Sequence, residues 1–309
     1  MSGVVLQMER VTRRFGGRVA LLDASLQLGP GIVGLIGPNG AGKTTWLRLA
    51  AGLLVPSSGA VRWNGGLERG DPRLHNRIVM AGDGDALPVR ESPRAYLQLL
   101  LEAAGLGYED ADRHAGEVLA RLGLEGKAEV PIATLSRGQR QRVKLAAAFA
   151  LPADLILLDE PHNALDPVWR LEVTALCREA AAAGALVIVS SHILEEVESI
   201  SERLVVLYRG RVVASGPRDG VKRELGRRGT ALLVRCSDPR GLARALLGHP
   251  SLLRLDLDGG WVRFGGDDLG AIQRGLAAAV AASGVAVHEV RTEGDDLTSV
   301  FRALGEEIR

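Results

Sequence analysis

Short apolar runs alternate with stretches of helical periodicity through the middle of the chain. GIVGLIG (31–37) precedes KTTWLRLAAGLL, DLILLD (154–159) precedes PVWRLEVTALCREAAAAG, and ALVIVSS (185–191) precedes HILEEVESISERL, before a last run LVVLYRGRVVASG. Strand-length apolar runs separated by amphipathic helices predict an α/β sheet with crossover helices. The helix after Asp166 has both ends written into it. Asp166 suits the N-cap, Pro167 the first helical position and Gly184 the position just past the end. Between 92 and 150 no strand-like run appears, and PRAYLQLLLEAAGL, EDADRHAGEVLARLGL and SRGQRQRVKLAAAFAL all show helical spacing. This predicts a helical subdomain, about 84–150, inserted into the sheet domain.

A segment rich in glycine and charge, GPRDGVKRELGRRG (216–229), marks a boundary. The expected division is a domain over 1–218, a linker over 219–229 and a small domain over 230–309. In the last part ALLVRC reads as a strand, DPRGLARALLG as a helix, LLRLDLD and WVRFGG as a hairpin around Gly259 and Gly260, DLGAIQRGLAAAVAAS as a helix and VAVHEVR as a strand. The order βαββαβ predicts a small α+β, ferredoxin-like domain, with a last short helix in DDLTSVFRALGE.

At 309 residues the chain is long enough for one large domain and a smaller one. Its 38 Lys and Arg against 37 Asp and Glu leave a net charge of +1, so nothing electrostatic calls for nucleic acid or an anionic membrane surface as partner. Cys177 and Cys236 lack CxxC spacing, which fits a reducing, cytoplasmic compartment. The first residues, MSGVVLQMERVTRRF, do not read as a signal peptide. No apolar run approaches the roughly 18 to 20 residues of a membrane-spanning helix, so work at a membrane would need another chain to supply the membrane part.

Residues 37 to 44 fit G-x-x-x-x-G-K-[ST] through Gly37, Gly42, Lys43 and Thr44, between a strand and a helix. Glycines let backbone N–H groups turn inward around phosphate oxygens and the helix N-terminus adds partial positive charge. Lys43 reaches the outer phosphates, and the Thr44 hydroxyl suits Mg²⁺. A second apolar strand ends in Asp159 and Glu160. Asp159 at that edge can hold Mg²⁺ through water, and the adjoining carboxylate of Glu160 is placed to orient or deprotonate an attacking water. LSRGQRQR (135–142) opens a helix with Ser136 as N-cap and Gly138 leaving the first-turn N–H groups uncovered. His192 after an apolar strand reads, by itself, as a structural hydrogen-bonding residue.

The ordered set GPNGAGKTT, LSRGQ, LILLDEP, ALDP and SSH resembles the ATP-binding cassette (ABC) ATPases over roughly residues 3 to 218. LSRGQ ahead of the Asp159 strand is the part that separates this family from other P-loop NTPases. The segment SSHILEEVESISERLVVLYRGRVVASG and the C-terminal part look like ATP-binding subunits of bacterial drug, polysaccharide and antibiotic exporters. The resemblance implies that Gly37, Pro38, Asn39, Gly40, Ala41, Gly42, Lys43, Thr44 and Thr45 hold ATP, and that Phe15 stacks on adenine unless it is a core residue. It further implies that Asp159 supports Mg²⁺, that Glu160 is the base, and that His192 contacts the γ-phosphate and the attacking water. Ser136, Gly138 and Gln139 would close over ATP held by a second subunit, and Asp166 would lie at that interface unless it is only a cap.

Two departures stand out. Where the family carries a glutamine after the strand RIVMAG, the candidate here is Asp83, an oxygen ligand that can also take Mg²⁺. His162 in DEPHNALDP occupies a Thr or Ser position. The implied function is the ATP-hydrolysing subunit of a transporter, a homodimer or heterodimer on the inner face of the cell membrane beside an integral membrane permease. A soluble ABC ATPase that acts as a conformational switch is the alternative. Such proteins usually carry two cassettes or a long coiled coil, whereas this chain has one cassette and no sustained heptads.

Overall fold

The computed structural model describes residues 5–74, 77–82, 84, 87–221, 224, 231–266 and 268–293. It divides into two compact units, Met1–Gly216 and Pro217–Arg309.

The first unit is built on a six-stranded sheet of β3 (Gly31–Ile36), β5 (Ile78–Ala81), β6 (Leu155–Leu158), β7 (Leu186–Ser191), β8 (Arg203–Tyr208) and β9 (Arg211–Pro217). Their spatial order is β5-β6-β7-β3-β8-β9. Pairing is parallel from β5 through β8, with Gly31 opposite Leu186 and Val33 opposite Arg203. All four residues of β6 and all six of β7 are buried, as expected of parallel strands covered on both faces. The apolar runs of the sequence therefore mark the sheet. Its neighbours in space, however, come from distant parts of the chain.

Two strands near the N-terminus, β1 (Leu6–Phe15) and β2 (Arg18–Leu28), pair with β4 (Ser58–Trp63) in a separate antiparallel sheet ordered β2-β1-β4. The pattern reading gave no strands there. The reason is physical: bulges shift the register between Met8 and Val11 and again before Arg13. Arg10 and Asp23 stand at φ 47° and 52°. A bulge inserts one residue and breaks the two-residue alternation by which a strand is recognised.

Between the two sheets lies α1 (Lys43–Ala50), whose Trp46, Leu47 and Leu49 are fully buried in one core with Leu6, Met8, Leu35, Leu157 and Ile188. Burying a side chain such as Leu47 contributes roughly 1.5–3 kcal/mol. Trp63 of β4 adds a bond from its indole N–H to the Ala50 carbonyl, 2.7 Å. The helix that begins at Lys43 is thus gripped along its length, so the loop before it has a rigid seat.

Residues 92 to 150 carry α2 (Pro93–Ala103), α3 (Tyr108–Arg121) and α4 (Arg137–Ala150). Ser92 caps α2, and Arg94 forks onto Asp112 at 2.6 and 2.7 Å to join α2 to α3. After β6 the chain enters α5 (Pro167–Ala182), capped by Asp166 through the Trp169 N–H and followed by Gly184 at φ 99°, as its sequence predicts.

In the second unit the element order is strand Ala231–Cys236, helix Pro239–Leu246, strands Leu252–Asp258 and Trp261–Gly266, helix Leu269–Ser283 and strand Val287–Glu293. The hairpin turns at Gly259 and Gly260. The first strand is central, antiparallel to Trp261–Gly266 on one side and to Val287–Glu293 on the other. Leu232, Val234, Phe264, Leu242 and Ile272 form its core. The short helix expected in 295–306 and most of the linker expected over 219–229 lie outside the described residues.

Candidate functional site

The loop from β3 to α1 is closed at its far end by Gly42. This residue stands at φ 106°, and a Cβ there would meet the Ala20 carbonyl oxygen at 2.6 Å. Only glycine combines that conformation with so close a neighbour. Lys43 follows, buried, with its ammonium donating to the Gly37 carbonyl at 2.7 Å and lying 3.3 Å from Oε1 of Glu160. The loop thus encircles its own lysine, which keeps a third N–H donor for an anion.

Asp159 and Glu160 sit at the C-terminal end of β6, beside this loop because β6, β7 and β3 run parallel. Both oxygens of Asp159 are engaged: Thr44 Oγ1 donates to Oδ2 at 2.7 Å and Ser190 Oγ donates to Oδ1 at 2.6 Å. The same Ser190 oxygen accepts from the Glu160 N–H at 2.9 Å. Ser190 therefore fixes two consecutive acidic residues at once. The sequence marks it only as the first residue of SSH and gives it no role of its own. Glu160 itself stands at φ 50°, a conformation that costs a non-glycine residue on the order of 1–3 kcal/mol and that clusters at functional sites. Its Oε2 lies 3.0 Å from Nδ1 of His192, so Lys43, Glu160 and His192 form one continuous chain of charge and hydrogen bonds.

A cleft of about 660 Å³ opens over these groups. Pro38, Asn39, Gly40, Gly42, Lys43, Thr44, Thr45, Asp159 and Glu160 line it, while Ala41 is buried beneath the loop with its N–H on the Pro38 carbonyl. Phe15 stands at the rim, 46% exposed and so not a core residue, with the Arg13 guanidinium 4.5 Å from its ring centre. Arg18 and Arg209 add cationic lining that sequence reading did not single out. A volume of this size suits a nucleotide, and the cations suit its phosphates.

Ser136, Gly138 and Gln139 do not line this cleft. Ser136 caps α4 by accepting from the Gln139 N–H at 3.2 Å, and Gln139 returns its side-chain oxygen to the Ser136 N–H at 2.9 Å. Gly138 approaches the turn after Glu160 so closely that a Cβ would meet the Ala164 carbonyl at 2.6 Å. Asp83 lies outside the described residues.

His162 is almost wholly buried, with Nδ1 4.0 Å from Glu196 and Nε2 without a hydrogen-bond partner among the described residues. Burial holds its pKa below the ordinary histidine value of 6.5; Glu196 opposes that shift and Arg170 adds to it. The sign of the consequence is fixed. As pH falls below about 6.5 the unfolded chain takes up this proton before the folded one, so the contribution of His162 to stability is lost on acidification. We expect the drop in urea midpoint between pH 7.5 and pH 5.5 to be smaller in His162→Asn than in the native chain. An equal drop would remove His162 from the account.

A glycine loop closed on a buried lysine, a strand-end Asp bonded to the following threonine, and a Glu held beside both define a P-loop nucleoside triphosphatase. Comparison with known proteins narrows this. A family model described as ABC transporter matches residues 21–163. A daunorubicin resistance ATP-binding protein of Streptomyces coeruleorubidus is 32% identical over 249 residues, 80% of this chain and 79% of that protein. A Nod factor export ATP-binding protein of Rhizobium leguminosarum bv. viciae is 31% identical over 262 residues, 84% of this chain and 83% of that one. Among solved structures, an ATP-binding subunit of an ABC transporter superposes with a TM-score of 0.67 at 28% identity, covering 72% of this chain and 93% of its own. A dimeric post-hydrolysis state of the ATP-binding cassette MJ0796, bound to ADP and Pi, gives 0.63 at 25% identity over 69% of this chain and 98% of its own. The chain belongs to the ABC transporter family and is an ATPase of that family.

Proposed function

We propose that this protein is the ATP-hydrolysing subunit of an exporter, working as a dimer on the cytoplasmic face of the membrane beside an integral membrane permease. The observation that carries the hydrolytic reading is the continuous Lys43, Glu160 and His192 chain next to the Thr44 and Asp159 pair. The names of the two relatives, one for daunorubicin resistance and one for Nod factor export, support outward transport. Among the described residues no helix is long and apolar enough to cross a membrane, so the path for the solute is assigned to the permease.

In this reading Lys43 and the backbone of Gly37 to Thr45 bind the phosphates of ATP, and Phe15 stacks on the base. Glu160 orients the attacking water and accepts its proton, and His192 holds the Glu160 carboxylate through Oε2. The hydroxyl and carboxylate oxygens of Thr44 and Asp159 are the hard donor set that fits Mg²⁺, with Asp83 as the further candidate. When bound, that ion neutralises charge on the transferring phosphate. Ser136, Gly138 and Gln139, which do not line their own cleft, serve the ATP of the second subunit, with Asp166 at the same interface.

Tagged protein drawn from detergent-solubilised membranes should bring an integral membrane protein with it, and that complex should hydrolyse ATP. A complex that neither binds nor hydrolyses ATP would overturn the motor reading; hydrolysis by a chain that never enters the membrane fraction would overturn the transport reading.

We further propose that the second unit is ferredoxin-like over 230–309. Its strand order, with the first strand between the third and the fourth, supports this. Amide contacts of Arg235 with Trp261 on one side and Glu289 on the other in the full chain would check it, and a different pairing on either side would refute it.

A further inference from the structure

Behind the nucleotide cleft one carboxylate ties together three parts of the chain. Glu196 lies on α6 (Leu194–Glu198) with its side chain 13% exposed. Its Oε2 accepts from Ser191 Oγ at 2.7 Å and its Oε1 accepts from Arg170 Nη1 at 2.8 Å. Arg170 in turn donates from Nε to the Leu165 carbonyl at 3.1 Å, and His162 Nδ1 stands 4.0 Å from the same carboxylate. The Ser191 oxygen also accepts from the Ile193 N–H at 3.0 Å. That single hydroxyl therefore brackets His192, receiving a proton from the residue after it while giving its own to Glu196.

We propose that Glu196, acting through Ser191, is a positioning residue that sets His192 against Glu160 and keeps it in register with the 161–166 turn. The reasoning is one of constraint. His192 is partly exposed, and among the described residues its ring is bonded to Glu160, so its direction depends on the backbone that carries it. A hydroxyl has one proton and rotates freely unless an acceptor fixes it. A buried, ionised acceptor makes that bond short and directional. The carboxylate has two oxygens and spends one on each side, so the turn after Glu160 and the loop before α6 cannot shift independently. An amide at 196 has one acceptor oxygen, so it cannot accept from Ser191 and from Arg170 through separate oxygens.

The inference rests on the role given to His192 above, and the test separates the two. Single-turnover ATP hydrolysis is followed over hours, so that slow variants still give a rate, in the native chain, Ser191→Ala, Glu196→Gln, His192→Ala and the doubles with His192→Ala. ATP affinity and thermal melting are recorded alongside. Ser191→Ala removes only one oxygen, and native melting behaviour is the condition on which its rate is read. The expected result is a roughly tenfold fall in rate for Ser191→Ala and for Glu196→Gln, the weight of one hydrogen bond, with ATP affinity unchanged. In the His192→Ala background neither should lower the rate further. Equal losses in both backgrounds, or no loss in the native one, would overturn the inference while leaving His192 in place. A His192→Ala chain that turns over at the native rate would overturn the role of His192 and the inference with it.

Discussion

Replacing Glu160 by glutamine is expected to lower ATP hydrolysis by roughly 10²- to 10⁴-fold, the usual weight of a positioned general base, while ATP still binds. The amide keeps the size of the carboxylate and can still accept from Lys43, 3.3 Å away, so the loop and α1 stay seated. The variant loses the basic oxygen that faces His192. Because hydrolysis is what would separate the paired subunits, the Glu160→Gln chain should accumulate as a dimer with ATP and Mg²⁺, measurable by light scattering. A hydrolysis rate equal to the native one would remove Glu160 from the reaction. A monomer that binds ATP would show that closure needs a different partner chain, and would turn attention to Asp83.

Lys43→Ala should act on two levels. Lys43 makes a charge-assisted bond to a phosphate in the proposed complex, worth about 1.5–3 kcal/mol, so ATP affinity should fall roughly 10- to 150-fold. It also answers Glu160, whose side chain is only 10% exposed, and the Gly37 carbonyl. Removing the ammonium takes the partner from Oε1 and from that carbonyl while His192 stays on Oε2, a loss of roughly 1–3 kcal/mol. The nucleotide-free variant should therefore melt lower than the native chain, whereas Glu160→Gln should not. Lys43→Met with Glu160→Gln should recover part of the loss, since the carboxylate that had lost its ammonium is then gone. A Lys43→Ala chain with native melting behaviour would mean that water at the cleft floor satisfies Glu160.

The contrast between these residues and others shows what a linear pattern carries. Gly37 to Thr45 and Asp159 with Glu160 were legible because each group is contiguous and its chemistry is local: a turn, a helix start, a strand end. Asp166 as a cap and the helix to Ala182 were legible for the same reason. Ser190 was not, since its value arises only when parallel pairing places β7 beside β6 and brings a hydroxyl between two acidic residues 30 and 31 positions away. Glu196 was hidden likewise among the acidic residues of 195–198, since nothing local tells it from Glu195 or Glu198. The sheet of β1, β2 and β4 escaped because its bulges erase the alternation. In each case the missing information was register, a property of two segments that neither states alone.

Parallel pairing of β3 with β7 and β8 also sets a timetable for synthesis. The strand that leads into the glycine loop emerges early, yet both of its hydrogen-bonded neighbours come more than 150 residues later, Gly31 meeting Leu186 and Val33 meeting Arg203. At 5–20 residues per second a ribosome takes on the order of ten to thirty seconds to cover that gap. Throughout it β3 is an apolar edge without a partner, exposed to wrong pairing and to chaperones. A nascent chain truncated before Leu186 should bind no nucleotide however complete its glycine loop, so the ability to hold ATP doubles as a certificate that the sheet has closed.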